Sequence, residues 1–273
     1  MLSRAFTDRT ATATVVLLAV AFALFFVLPF VGLIDRALDD GRTWELATSD
    51  VAQDALLLSL WTSSLTLAIA VLAGTPVAYL LTRSNFRGKA IVDALIDLPI
   101  VLPPTVAGVA LLTAFGRRGL LGEPIEDWTG YTFGFSTTAV VMAQLLVSAP
   151  FYVRAASSGF AGVDRQLERV AYTLGASRTR TFFRIVVPQA LPALLAGMVL
   201  CWARAMGELG ATLIFAGNLQ GETQTMPLAI IQAFEGSALG LAGAIALSLI
   251  LLAVALVVLV AFRVATGRSV AAR

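Results

Sequence analysis

Six stretches of this chain stay apolar for long enough to cross a bilayer, and no other feature restricts its fold as much. They run over residues 14–34, 55–81, 90–115, 137–158, 189–215 and 239–262. An α-helix rises 1.5 Å per residue, so about twenty apolar residues carry it across the hydrocarbon. The expected fold is therefore all-α, a polytopic membrane protein with six transmembrane helices. Only 13% of residues are charged and 58% are hydrophobic, whereas soluble domains carry about 25% charge. No low-complexity tract or clear internal repeat divides the chain, so one membrane domain, residues 1–273, accounts for it. The first stretch reads as a retained helix rather than a cleaved leader. It is followed directly by Asp35 and Arg36, with no small-residue cleavage pattern.

The distribution of positive charge orients the spans. Arg4 and Arg9, Arg83, Arg87 and Lys89, six arginines between Arg154 and Arg184, and Arg263, Arg268 and Arg273 fall on one side. That is fourteen of nineteen basic residues; Arg36, Arg42, Arg117 and Arg118 fall on the other side. The positive-inside bias predicts that both termini are cytoplasmic. The 35–54 loop, with six acidic residues against two basic ones, is expected outside.

Several functions are disfavoured at this stage. The chain has no histidine and one cysteine, Cys201, so neither a zinc-type cluster nor an internal disulfide is available. A formal charge of +2 gives no electrostatic support for nucleic-acid binding. The only Gly-Lys pair, Gly88-Lys89, is followed by Ala90, so there is no P-loop and no cofactor is expected in this chain. An intramembrane enzyme would need a nucleophile with a base, and Cys201 has no evident partner. A secondary transporter would need intramembrane acids or inverted repeats. Glu208 is the only acid deep in a span, and Arg204 stands beside it.

The segment 159–188, between the fourth and fifth spans, carries its own pattern. Leu167, Val170, Ala171 and Leu174 recur at helical spacing and form one apolar stripe. Arg165, Glu168 and Arg169 take the other faces. Asp164 is placed to cap this helix, Gly175 to stop it, and Ser177 to cap a second helix that re-enters the membrane. Such a helix either lies on lipid headgroups or docks a cytoplasmic partner. Ala171 beside Gly175 would leave a shallow surface for the latter.

Within the third stretch, DLPIVLPPTVAG spans residues 97–108. Pro99, Pro103 and Pro104 lack N–H groups and push their predecessors toward extended geometry, which predicts irregular backbone over 97–105. Broken backbone at membrane depth survives only against protein or a water-filled cavity. The alternative is a kinked helix with packing value only. Asp93 and Asp97, near Arg87 and Lys89, read as an interfacial ion pair anchoring this end of the span. In the fifth stretch, Arg204 and Glu208 are four residues apart and are expected to pair on one helical face. Gly207 and Gly210 thin the helix beside them. The pair reads either as a structural ion pair or as one close to a pathway.

Three of these segments resemble one family, the permease subunits of ABC importers, and the molybdate/tungstate branch in particular. Glu168-Arg169-Val170-Ala171, Gly175 and Ile185-Val186-Val187-Pro188 resemble the EAA loop, with Val170 in place of an Ala and Val187 in place of a Leu. DLPIVLPPTVAGVALLTAFGRRGLLG, residues 97–122, resembles the third-span motif, and Ala203 to Thr212 resembles an Ala-Arg-x-x-Gly-Glu-x-Gly-Ala-Thr stretch. The resemblance covers about residues 50–265. It implies a homodimer with two ATPase subunits, which would bind the ATP, and an external oxyanion-binding protein. It makes residues 164–175 a coupling helix, with Asp164, Leu167, Glu168, Ala171, Gly175 and Ala176 as its ATPase-coupling residues. It assigns Pro103, Pro104, Thr105, Gly108, Arg204 and Glu208 to a translocation pathway or gate, and Arg117 and Arg118 to an outer mouth. That mouth would suit an oxyanion or an acidic protein; a headgroup anchor is the other reading of the two arginines. The implied activity is ATP-driven import of molybdate or tungstate by alternating access, with sulfate or thiosulfate as the alternative cargo.

Overall fold

The computed structural model describes residues 9–236 and 239–271. Arg4 and Arg273, and the side chains of Arg9, Arg263 and Arg268, lie outside what is described. The described chain is helical, with no strand. Helix α1 is Arg9–Asp39 and a short α2, Thr43–Ala47, leads into α3, Asp50–Arg83. Next come α4, Lys89–Val101, α5, Pro104–Phe115, and α6, Gly122–Thr129. Helix α7 is Thr137–Ala161, α8 is Arg165–Thr173 and α9 is Arg178–Thr181. A π-helical segment, Phe182–Val186, joins α9 to α10, Val187–Met206. Helices α11, Gly210–Ala216, α12, Met226–Phe234, and α13, Gly240–Ala271, complete the fold.

Five helical segments are long and apolar enough to span alone: Thr12–Asp39, Asp50–Arg83, Thr137–Ala161, Arg178–Met206 and Gly240–Phe262. The sixth crossing is the pair α4 and α5, which bends through 118° at its break. Its contacts run from one end of α7 to the other. Arg154, near the last turns of α7, holds Asp93 of α4 at 2.9 Å. Ala107 and Leu111 of α5 share a buried cluster with Ala139, Val140 and Ala143 at the start of α7. The six expected spans are therefore present, the third of them sharply bent at its break.

Helix α7 is the centre of the domain and packs against α3, α4, α5, α10 and α11. It can do so because small residues let backbones approach, the usual solution where lipid removes the hydrophobic drive between helices. A Cβ on Gly159 would lie 2.7 Å from the Cβ of Ala193, and one on Gly197 would lie 2.7 Å from that of Ala155. Buried polar groups on these helices satisfy one another. Gln144 donates to Thr62 at 3.2 Å and accepts from Thr66 at 3.1 Å. Cys201 is buried against Ser148. The π-helical turn lies immediately before Pro188, whose missing N–H interrupts the α-ladder. Helix α1 stands apart: no residue of its apolar window is buried, and its principal contact is with α13.

Two expectations about backbone need correction. Irregularity was expected through 97–105, yet α4 continues through Pro99 to Val101. A single proline removes one bond, which membrane helices tolerate. The break falls only at Leu102 and Pro103, both extended. Pro104 then occupies the first turn of α5, where an N–H would have had no partner. The fifth stretch was expected to be continuous over 189–215, but it parts between Met206 and Gly210.

Candidate functional site

The two breaks lie against each other. Helix α5 packs on α11, and glycine makes the approach possible. A Cβ on Gly108 would sit 2.8 Å from the Cβ of Ile214 and 2.9 Å from the Ala211 backbone. A Cβ on Gly210 would sit 3.0 Å from Pro104 and 3.2 Å from the Thr105 nitrogen. Five of the six residues that the resemblance assigned to a pathway stand at this junction or are tied to it: Pro104, Thr105, Gly108, Arg204 and Glu208. Pro103 precedes it directly. Thr105 and Pro103 are exposed on the single chain, Pro104 is half-buried and Gly108 is buried.

Glu208 holds the second break together. Its Oε1 accepts from the Ala211 N–H at 2.8 Å, satisfying an orphan donor at the start of α11. Its Oε2 lies 2.7 Å from Nη1 of Arg204, at the end of α10. The pair therefore forms across a break rather than along one helical face, which corrects the sequence expectation. The Glu208 side chain is 1% exposed and that of Arg204 is 29% exposed. A buried carboxylate without a partner would cost several kcal/mol, so Arg204 is committed to it and has little charge left for an anion.

At the other end of α5 the two arginines differ. Nε of Arg117 meets Glu126 of α6 at 2.8 Å, although the Arg117 side chain is 77% exposed. Arg118 is exposed and forms no ion pair among the described residues. The sequence treated them as equivalent because nothing in it marked Glu126 as a partner.

Asp93 and Asp97 also change partner. One turn apart on α4, they both bind Arg154, Asp93 through Nη1 and Asp97 through Nε, and Arg154 donates further to the Asp93 carbonyl at 2.8 Å. Arg87 and Lys89 take no part among the described residues. Arg154 belongs to α7, inside the fourth apolar stretch, so the anchor ties one span to another.

Helix α8 forms as its pattern predicts. Asp164 caps it by accepting from the Gln166 N–H at 2.8 Å. Gly175 ends it at φ +83°, in the left-handed region that favours glycine. Its N–H bonds the Tyr172 carbonyl at 3.0 Å and the Ala176 N–H bonds that of Ala171 at 2.9 Å, the paired bonds of a Schellman stop. Ser177 caps α9 through the Arg180 N–H. The expected apolar stripe, however, divides. Glu168 and Ala171 are buried against the membrane domain, while Leu167, Val170, Leu174 and Gly175 are exposed.

Glu168 is the reason. It pairs with Arg83 at 2.8 Å and accepts from the Tyr79 hydroxyl at 3.0 Å, both at the end of α3. Arg83 donates to the Val163 carbonyl and Arg165 to the Thr82 carbonyl, each at 2.9 Å. Tyr79 also meets Phe160 and Phe182 edge-on, at 5.5 and 5.0 Å. Helix α8 is thus locked to α3, to the end of α7 and to the start of the fifth span. Tyr79 and Arg83 were missed in the sequence because they lie 89 and 85 positions from Glu168.

Comparison with known proteins follows this geometry. The molybdenum transport system permease protein ModB of Escherichia coli (strain K12) is 44% identical over 209 residues, 77% of this chain and 91% of that protein. The molybdate/tungstate transport system permease protein WtpB of Pyrococcus abyssi is 36% identical over 247 residues, 90% of this chain and 92% of its own. A probable sulfate transport system permease protein, cysT of Chlorokybus atmophyticus, is 38% identical over 216 residues, 78% and 75% of the two chains. In fold, the chain superposes with a TM-score of 0.76 on a bacterial ABC transporter involved in import of the polysaccharide alginate, at 15% identity and 98% coverage of both chains. Residues 67–266, from the middle of α3 into α13, match the model of one family, and the chain belongs to it: it is a binding-protein-dependent transport system inner membrane component.

Proposed function

We propose that this chain is the permease subunit of an ABC importer that moves molybdate or tungstate across the cell membrane by ATP-driven alternating access. The observation that carries the mechanism is the division of α8. One face is bolted to three spans through Glu168 and Arg83, and the other leaves Leu167, Val170, Leu174 and Gly175 uncovered. An apolar surface built on a rigid mount outside the spans calls for a partner. A cytoplasmic ATPase subunit fits, with ATP bound there and not in this chain. Two copies of the chain, two ATPase subunits and an external oxyanion-binding protein would make the working unit, with both termini cytoplasmic and the whole of residues 164–175 as the coupling element. Pro103, Thr105 and the Arg204–Glu208 junction would line or gate a pathway between the two copies. Arg118, the unpaired arginine of the outer end, would meet the binding protein or the arriving anion, with Arg117 held by Glu126.

The cargo follows from the relatives named for molybdenum and for molybdate or tungstate. Sulfate or thiosulfate is the second reading, favoured by the sulfate-named relative. ATPase stimulation in liposomes containing the binding protein tests both, with molybdate, tungstate and sulfate at equal concentration. Stimulation by sulfate alone would reverse the order. Gly175→Glu places charge and bulk on the exposed face where φ already disfavours a side chain. The variant is expected to reach the membrane but not to co-purify with the ATPase subunit; undiminished co-purification would refute the docking role.

A further inference from the structure

A cleft of about 940 Å³ opens between α3, α8 and α9, beside the Glu168–Arg83 pair that mounts α8. One wall is apolar: Leu72, Pro76 and Leu80 line it along α3, and Phe183 stands opposite. Leu72, Leu80 and Phe183 are 77%, 53% and 64% exposed, so their own chain leaves this wall largely uncovered. Toward the end of α3 the lining changes to Arg165, Arg169 and Arg178. None of these three guanidinium groups forms an ion pair among the described residues. Arg83 reaches the same end but is already neutralised by Glu168 at 2.8 Å. The cleft is therefore apolar along its length and positive at one end only.

Its dimensions fit one leaflet. The α3 lining runs from Val71 to Ser84, about 20 Å at 1.5 Å per residue. Half of a hydrocarbon core of about 30 Å is about 15 Å, which leaves the arginine end at headgroup depth. We propose that the cleft binds an anionic phospholipid of the inner leaflet, with an acyl chain along α3 and its phosphate against Arg169 and Arg178. The proposal rests on the cytoplasmic placement of α8 given above. Free phosphate would satisfy the arginines and leave the apolar wall wet. A zwitterionic lipid would cover the wall and bring a cation toward three arginines. An anionic lipid matches both ends, as basic pockets between spans on the cytoplasmic side do generally. Because α8 and α9 form the positive end, such a lipid would brace the docking helix against the bilayer.

The test uses the whole transporter, this chain with its ATPase and binding protein, in nanodiscs of phosphatidylcholine containing a minority of phosphatidylglycerol. Native mass spectrometry reads the lipid that stays bound after release from the disc. Phosphatidylglycerol is expected to be enriched over the bulk by about thirtyfold, the scale of two arginine contacts. The double variant Arg169→Gln/Arg178→Gln is expected to bring this to the bulk ratio. Leu72→Trp, which fills the cleft from an exposed position and spares the arginines, is expected to lower it as well. Equal retention by all three proteins overturns the proposal. Complete displacement of phosphatidylglycerol by inorganic phosphate also overturns it, because the site would then be one for a simple anion. So does a photocrosslink from position 72 to α1 of a second copy. ATPase stimulation is read in the same discs. In the unsubstituted transporter, no phosphatidylglycerol enrichment with stimulation intact refutes the lipid site alone; enrichment without stimulation in any lipid leaves the lipid site standing and counts against the transport reading.

Discussion

Helices α4 and α5 part at Leu102 and Pro103, whereas α10 and α11 part between Gly207 and Leu209. The two breaks lie side by side in the fold and are made by different physics. At the first, the covalent chain decides. Pro103 holds Leu102 extended, Pro104 holds Pro103 extended, and no neighbour is needed to keep the helices apart. At the second, side chains decide. Glu208 reaches back to Arg204 and forward to the Ala211 N–H, so one carboxylate fixes both sides. A break written in prolines is permanent. A break written in an ion pair and a capping bond can be remade, and the alternating access proposed above would use an element of that second kind.

Substitutions that attack the two breaks separately are expected to differ in size. The largest effect should come from Glu208→Ala, which strands a partly buried guanidinium and uncaps α11; losing one member of a buried pair costs about 3 kcal/mol or more. Thermal unfolding in detergent should show it, and Glu208→Gln, which keeps an acceptor for Ala211, should fall between it and the parent. Equal melting of all three would mean that the ion pair does not hold the break. Next comes Gly108→Ala. Its new Cβ would meet the Ala211 backbone at 2.9 Å, which is less yielding than a side-chain tip. Overpacking of that kind costs about 1–3 kcal/mol, and the loss should appear in both stability and oxyanion uptake. Gly210→Ala, with contacts of 3.0 and 3.2 Å, should cost less, and the reverse order would show that the helices meet differently. Smallest in stability is the double change Pro103→Ala/Pro104→Ala, on the order of 1 kcal/mol through the freer unfolded chain. Its effect should lie in transport, because α4 would then be free to continue as helix past Val101. Unchanged uptake would show that the proline break is dispensable.

The same contrast explains what could be read in the sequence. Span number and the proline break were legible because each is a local property: an apolar run of fixed length, or a ring without an N–H. The second break was not. Met206 to Gly210 sits inside an apolar stretch, and an Arg–Glu spacing of four reads as one helical face. The inward turn of Glu168 was hidden for a different reason. Its partners Tyr79 and Arg83 come from another span, and helical periodicity along 165–174 says only that a stripe exists, not which edge of it a distant cation will claim. Arg154 was not recognised as the partner of Asp93 and Asp97 because it lies 61 and 57 positions away, on another span.

The isolation of α1 bears on how the protein is made. This helix is synthesised early, yet its principal contact is with α13, which starts at Gly240. About two hundred residues separate them, and at roughly 5–20 residues per second that is on the order of ten to forty seconds of translation. Through that interval α1 stands in lipid without its principal partner, and its apolar surface allows it to do so. The domain is closed last at its beginning, so insertion of the final span and docking of the first are one event, and a truncation that removes α13 would be expected to release both ends of the fold together.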